Sequence, residues 1–276
     1  MMLVNGIPQQ HVSLHERALA YGDGVFETVR LYAGNAILLE EHLQRLQEAC
    51  IVLGINCDFT KLQQEIESLQ GVFTTYGVLK IIISRGQGGR GYRPDKALQA
   101  TRIISLHPLP DYKGFDGVNG VTVFICQQRL SRQKTLAGIK HLNRLEQVLA
   151  ANEWPEDKVF EGLMRDETGA VIEGTRTNLF FSEAGKLYTP DLTTCGVNGI
   201  LRQVLLRKIP GSIAASGPSL ERLLQADELF LCNSVIGVWP VHEVLIGDKS
   251  QFFSAGPFSR IAGDIFREAL GYNTAR

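Results

Sequence analysis

The sequence predicts an α+β protein of two domains, with mixed sheets and flanking helices. Hydrophobic periodicity switches between about two and about 3.6 residues along the chain, so strands and helices are both present. No regular alternation of strand and helix accompanies the switch, which is the pattern of the α+β class. A stretch crowded with Pro108, Pro110, Gly114, Gly117 and Gly120 has the composition of a linker. The chain's 276 residues suffice for two domains of roughly 100 to 200 residues each. The reading is a smaller N-terminal α/β domain over 1–113, a linker over 114–120 and a larger C-terminal domain over 121–276.

Each element follows from local pattern. Gly24 to Leu31 alternates and is rich in Val, Phe and Thr, predicting a strand. From Leu39 the apolar residues Leu43, Leu46, Cys50 and Leu53 recur at four- and three-residue steps, the stripe of an amphipathic helix that Gly54 ends. A second helix is predicted over Phe59–Leu69, then strands over Val78–Arg85 and Thr101–Leu109. Beyond the linker come a strand over Val121–Gln127 and a helix over Leu142–Asn152. A strand meander follows through Val159–Pro190, punctuated by Thr168-Gly169 and Ala184-Gly185. Helices over Gly199–Lys208 and Ser219–Leu224, strands over Glu228–Asn233 and Trp239–Leu245, and a closing helix over Pro257–Leu270 complete the chain.

Composition narrows the function. Lys plus Arg (28) nearly balance Asp plus Glu (29), giving a formal charge of −1, so there is no long-range field to gather nucleic acid or an anionic membrane surface. The five cysteines are scattered, with no C-x-x-C pair, and read as reduced thiols. The start MMLVNGIPQQH lacks a signal peptide's basic flank and apolar run, and no stretch has the length of a membrane span. The expectation is a cytoplasmic protein that handles a small molecule, with no metal site, since the six histidines share no ligand spacing.

Four segments carry chemistry. Gly86-Gln87-Gly88-Gly89-Arg90-Gly91 formally satisfies G-x-G-x-x-G, but a dinucleotide site needs a helix opening at the last glycine, and Pro94 and a strand follow instead. A flexible hairpin loop, or a loop over an active site with Arg90 and Tyr92 facing a carboxylate, are the other readings. Lys140 lies in Leu136–Leu145, where an extended segment hands over to a helix; a desolvated amine there has the nucleophilicity a Schiff-base lysine needs. Asn198-Gly199-Ile200-Leu201-Arg202 reads as a capped helix N-terminus able to cradle an anion. Arg45 beside the apolar helix stripe offers a fork to phosphate, its ordinary alternative being a solvated helix arginine. Glu173, ending the apolar strand Val171-Ile172, is placed to pair with a pyridine nitrogen, its alternative being a turn glutamate.

Together these segments resemble the fold-type IV pyridoxal-phosphate enzymes, the family of branched-chain and D-amino-acid aminotransferases and aminodeoxychorismate lyase. The resemblance rests on Arg17–Thr28 (RALAYGDGVFET), Glu41–Leu46 (EHLQRL), Lys140 with Asn143, Glu173–Phe180 (EGTRTNLF) and Gly196–Ile200 (GVNGI), in the same order along nearly the whole chain. Ser84–Tyr92 and Ala137–Leu149 are similar to the lyase branch. The resemblance implies pyridoxal 5'-phosphate as cofactor, a homodimer, and 4-amino-4-deoxychorismate as substrate, giving 4-aminobenzoate and pyruvate in folate biosynthesis. It implies Lys140 as the catalytic Schiff-base lysine, Arg45 and the amides of Ile200 and Leu201 on the phosphate, and Glu173 on the pyridine nitrogen. Asn233 and Ser234 match a second phosphate-side loop. Arg90 and Tyr92 are the expected substrate-binding residues. The alternative on the same scaffold is an aminotransferase that keeps Lys140, Arg45 and Glu173.

Overall fold

The computed structural model describes residues 1–73, 76–88, 91–112, 115, 119–154 and 158–272. The chain divides into a first unit, Met1–Pro110 with Ile139–Asn143, and a second unit, Asp111–Gly138 with Arg144–Arg276. The linker expected at 114–120 lies mostly outside the described residues.

The first unit opens with β1 (Met2–Val4), β2 (Ile7–Pro8), α1 (Arg17–Tyr21), β3 (Gly24–Tyr32) and β4 (Asn35–Ala36). Helices α2 (Leu39–Leu53) and α3 (Phe59–Glu67) follow, then β5 (Tyr76–Ser84) and β6 (Thr101–His107). The strands form an antiparallel six-stranded sheet in the order β2-β1-β6-β5-β3-β4. Alternation along β3 buries Val25, Val29 and Leu31, and the register sets them with Ile81, Ile83 and Leu79 of β5 against Leu46 and Cys50 of α2. Full burial of a side chain such as Leu46 stabilises the unit by about 1.5–3 kcal/mol. Helix α2 ends where Gly54 takes a φ of 64° and returns its N–H to the carbonyls of Cys50 and Ile51.

The second unit contains β7 (Val121–Leu130), α4 (Leu145–Ala151), β8 (Glu161–Asp166), β9 (Val171–Gly174), β10 (Asn178–Glu183) and β11 (Lys186–Pro190). Then come α5 (Ile200–Lys208), β12 (Ile213–Ala215), α6 (Leu220–Leu223), β13 (Glu228–Asn233), β14 (Gly237–Ile246), β15 (Lys249–Phe252) and α7 (Pro257–Ala269). The nine strands are mixed, with β7 parallel to both β8 and β14. Because β9 pairs with β10 as well as β8, the pairings β10-β13-β14-β7-β8-β9 close into a ring. Leu163, Leu179, Leu229, Leu231, Val241 and Val244 fill one face of it. The expected α+β class with mixed sheets is the observed one.

The helix expected over Leu142–Asn152 is shorter, and Lys140 groups with the first unit, not with the larger C-terminal half. Extended backbone explains both differences. Phe26 N–H donates to the Lys140 carbonyl (3.0 Å), Leu142 N–H donates to the Gly24 carbonyl (3.0 Å), and Val25 bridges His141. The Ile139 side chain joins the core under β3 and α2. Backbone already spent on a β-type pairing cannot also close helical turns, so α4 starts only at Leu145.

Candidate active site

In the first unit, Arg45 and Glu27 form the charged centre. Glu27 is on β3 in phase with the buried Val25 and Val29, so it points into the core beneath α2 and is itself only 1% exposed. Arg45 comes off α2 and meets it as a fork, Nε to Oε1 at 2.7 Å and Nη2 to Oε2 at 2.6 Å. The fully buried His42, one helical turn earlier, places Nδ1 2.6 Å from Oε2, and among the described residues its Nε2 has no hydrogen-bond partner. Burial would raise the Glu27 carboxyl, but the charge of Arg45, with His42 beside it, outweighs that and brings it to about 2. Arg45 is therefore a held guanidinium rather than a solvated helix arginine.

Lys140 stands on the other face of the same strand. Its Nζ lies 4.2 Å from the Phe26 ring centroid, against an aromatic face that attracts an ammonium by about 0.5–2 kcal/mol. Successive residues of a strand point to opposite faces, which is why Phe26 meets Lys140 while Glu27 meets Arg45.

The glycine-rich segment Gly86–Gly91 follows β5. Arg90 lies outside the described residues. Tyr92 is described and is 86% exposed, its ring edge-on to Tyr21 at 5.6 Å. The buried Arg17 holds the loop's far end, Nη1 and Nη2 donating to the carbonyls of Gly91 (3.1 Å) and Tyr92 (2.9 Å), while Asp23 accepts from both Arg17 and Arg85. This anchoring does not follow the dinucleotide pattern: no helix opens at the last glycine.

In the second unit, Glu173 ends β9 and is 4% exposed. Its Oε2 accepts from Val197 N–H (2.9 Å) and Asn178 Nδ2 (3.3 Å). Asn178 is its register partner on β10 and also donates to the Val197 carbonyl (2.9 Å), tying strand and loop together. A buried charge demands such partners, because each hydrogen bond to a charged group returns about 1.5–3 kcal/mol of the desolvation cost.

Ile200 and Leu201 open α5, their side chains in the core and their amides in the first turn, where helix geometry provides no internal acceptor. The expected cap differs in one respect. Asn198 does not cap the helix; its Oδ1 accepts from Arg202 Nη1 (2.8 Å), and Gly199 takes the cap position with no side-chain bond. A Cβ at Gly199 would run into Asn178 Oδ1, so glycine lets the backbone pass close to the side chain that holds Glu173. Asn233 spends its side chain on structure: Oδ1 accepts from Val235 and Ile236 N–H (both 2.8 Å) and Nδ2 donates to the Arg176 carbonyl (3.1 Å). It shapes the turn that contains Ser234.

Sequence reasoning gave no role to Glu27, His42 or Asn178. For Glu27 a signal exists, since a carboxylate in register with Val25, Val29 and Leu31 must be buried, and a buried carboxylate needs a cation.

The family model described as amino-transferase class IV matches residues 24–244. The chain is 34% identical over 263 residues to the aminodeoxychorismate lyase of Vibrio harveyi, covering 94% of this chain and 97% of that protein. It is 28% identical over 274 residues to the D-alanine aminotransferase of Bacillus licheniformis, covering 96% and 94%. Among solved structures, 4-amino-4-deoxychorismate lyase from Pseudomonas aeruginosa is 42% identical, covers 99% of this chain and 100% of its own, and superposes with a TM-score of 0.92.

Proposed function

The chain belongs to the class IV aminotransferase family, and from that premise we propose that it is a pyridoxal-phosphate-dependent lyase converting 4-amino-4-deoxychorismate to 4-aminobenzoate and pyruvate. The observation that carries this reading is the 42% identity, over 99% of the chain, to a solved lyase of that specificity.

The residues present fit the cofactor by the chemistry of their donors. Arg45 offers a guanidinium already oriented by Glu27, and the amides of Ile200 and Leu201 offer a helix N-terminus without a competing side-chain cap. These suit a phosphate dianion. Glu173 is a buried carboxylate, and a negative charge there suits a protonated ring nitrogen. When bound, pyridoxal phosphate supplies a carbonyl that captures the substrate amine and a ring that accepts electrons from the carbon bearing it.

Lys140 would hold the cofactor through Nζ, and the same amine is the base that would take the proton from the carbon bearing the substrate nitrogen. The same amine returns a proton to the departing enolpyruvyl group, and aromatisation of the ring makes the departure favourable. Phe26 keeps Nζ on the strand face where Lys140 emerges. Arg45 and the amides of Ile200 and Leu201 would hold the phosphate, with Asn233 and Ser234 as the further residues proposed for it. The loop anchored by Arg17, with Arg90 and Tyr92, meets a substrate carboxylate.

The test is a product assay. Purified protein given 4-amino-4-deoxychorismate is expected to release 4-aminobenzoate and pyruvate in equal amounts; no 4-aminobenzoate, with turnover of D-alanine and a 2-oxo acid instead, would favour the aminotransferase reading that the Bacillus licheniformis relative supports.

We further propose a homodimer in the cytosol. Leu145 is 75% exposed and shares one face of α4 with the exposed Val148 and Leu149, an apolar stripe that association would cover. Leu149→Glu is expected to shift the sedimenting species toward monomer; an unchanged dimer would remove this face from the interface. Among the described residues no helix is long and apolar enough to cross a membrane, and the five cysteines are unbridged, as a reducing compartment leaves them.

A further inference from the structure

Glu161 is fully buried at the start of β8, in the apolar run Val159-Phe160-Glu161-Gly162-Leu163. Apart from the N–H of Gly162 beside it, the donors to its carboxylate come from a single short loop. Oε1 accepts from the N–H of Gly162 (3.0 Å) and from both the N–H (3.1 Å) and the hydroxyl (2.6 Å) of Thr175. Oε2 accepts from Arg176 N–H (3.2 Å) and the Thr177 hydroxyl (3.0 Å). Thr175, Arg176 and Thr177 are the connection between β9 and β10. That connection begins just after Glu173 and ends at Asn178, the two residues that hydrogen-bond each other. Its middle carbonyl, that of Arg176, accepts from Asn233.

We propose that Glu161 is a positioning residue: by folding the Thr175–Thr177 connection around its carboxylate it fixes the spacing of Glu173 and Asn178 and, through the Arg176 carbonyl, the turn at Asn233. The proposal rests on the reading of Glu173 given above and extends it to a group that touches no substrate. The chemistry demands a carboxylate rather than any polar residue. Each oxygen takes at least one backbone N–H, which cannot reverse its role, so an amide in its place would set an NH2 group against a backbone donor whichever way it turned. A loop with that conflict must move, and Glu173 lies two residues before its start.

The experiment uses Glu161→Gln in the full-length holoenzyme. The expected result is a kcat lower by about tenfold or more, with KM for the substrate little changed. The visible absorbance band of the bound cofactor should respond to pH as it does in Glu173→Gln. The double variant Glu161→Gln/Glu173→Gln should be no slower than Glu173→Gln by more than about twofold, since residues acting through one another are not additive. Glu228→Gln is the matched control, a buried carboxylate that accepts from the N–H groups of Gly256, Phe258 and Ser259 at the start of α7. It should lower the melting temperature while leaving kcat and the band alone.

A folded Glu161→Gln with wild-type kcat and band overturns the proposal, and so does a double variant whose losses multiply. Should Glu161→Gln not fold, Thr175→Val removes only the 2.6 Å hydroxyl donor; the same band change is expected on a smaller scale, and a wild-type band there overturns the proposal equally. A wild-type protein that shows no cofactor band and forms no product would instead overturn the functional reading, while product and band with an unresponsive Glu161 would overturn this inference alone.

Discussion

Glu27 in the first unit and Glu173 in the second are both carboxylates under 5% exposed at the inward side of a strand, yet their surroundings differ. Glu27 is gripped by a guanidinium and an imidazole. Glu173 is held by a backbone N–H and a side-chain amide. The first carboxylate spends its charge inside the protein, fixing the Arg45 guanidinium in one orientation. The second takes hydrogen bonds from Val197 and Asn178, with the charges of Arg144 and Arg202 acting on it from the same unit. Equal burial therefore conceals different surroundings, which only the partners of each carboxylate reveal.

The sharpest way to break this comparison lies with the residue that belongs to neither carboxylate. Lys140→Ala is expected to abolish the absorbance band of the lysine-held cofactor and to lower turnover by on the order of a thousandfold or more; retention of band and turnover would mean that another amine does the chemistry. Next in size, Glu173→Gln should keep the cofactor bound but cost roughly a hundredfold in kcat, because the available negative charge is lost while the shape remains. Full activity would place Glu173 with the structural acids such as Glu27.

Arg45→Ala should act on the opposite quantity, weakening cofactor affinity by about tenfold or more while kcat at saturating cofactor changes less. Glu27→Gln should follow it in the same direction, and unchanged cofactor affinity in both would remove the pair from the phosphate. The smallest effect is one of stability. The Glu27 carboxyl is depressed from its ordinary 4.5 to about 2, so its stabilisation is fully present above about pH 4.5 and is lost as the pH falls toward 2. That contribution is on the order of 3 kcal/mol. Chemical denaturation of wild type and Glu27→Gln should therefore converge through this acid window; a constant gap would show that the carboxylate is not the source.

Much of the fold is legible from periodicity. Helix α2, the strand pair β3 and β5, and β13 fall where alternation and the four-three stripe put them, because each element is long enough for its own residues to state which face is apolar. The handover at Lys140 is different. The sequence Leu142–Asn152 carries a helical pattern throughout, but the backbone of residues 140–142 is taken by β3, and pairing with a strand more than a hundred residues away leaves no local trace. The side chain of Asn198 is instead taken by a local competitor, Arg202 one helical turn on, whose Nη1 donates to its oxygen and leaves the cap position to Gly199.

The site divides along the same line. Lys140, Arg45 and Glu173 are visible in the sequence as polar residues where apolar neighbours make polarity costly, and the order of motifs along the chain adds the family. What holds each of them is not visible. That Arg45 arrives as a fork on Glu27, that Glu173 leans on Asn178 and Val197, and that Glu161 gathers the loop between them are facts of tertiary structure. A hydrogen bond reaches only about 3 Å, and which donor comes within that distance of a given oxygen is set by strand register and helix packing across the whole unit. Sequence by itself determined which residues needed partners; the folded chain decided which partners they received.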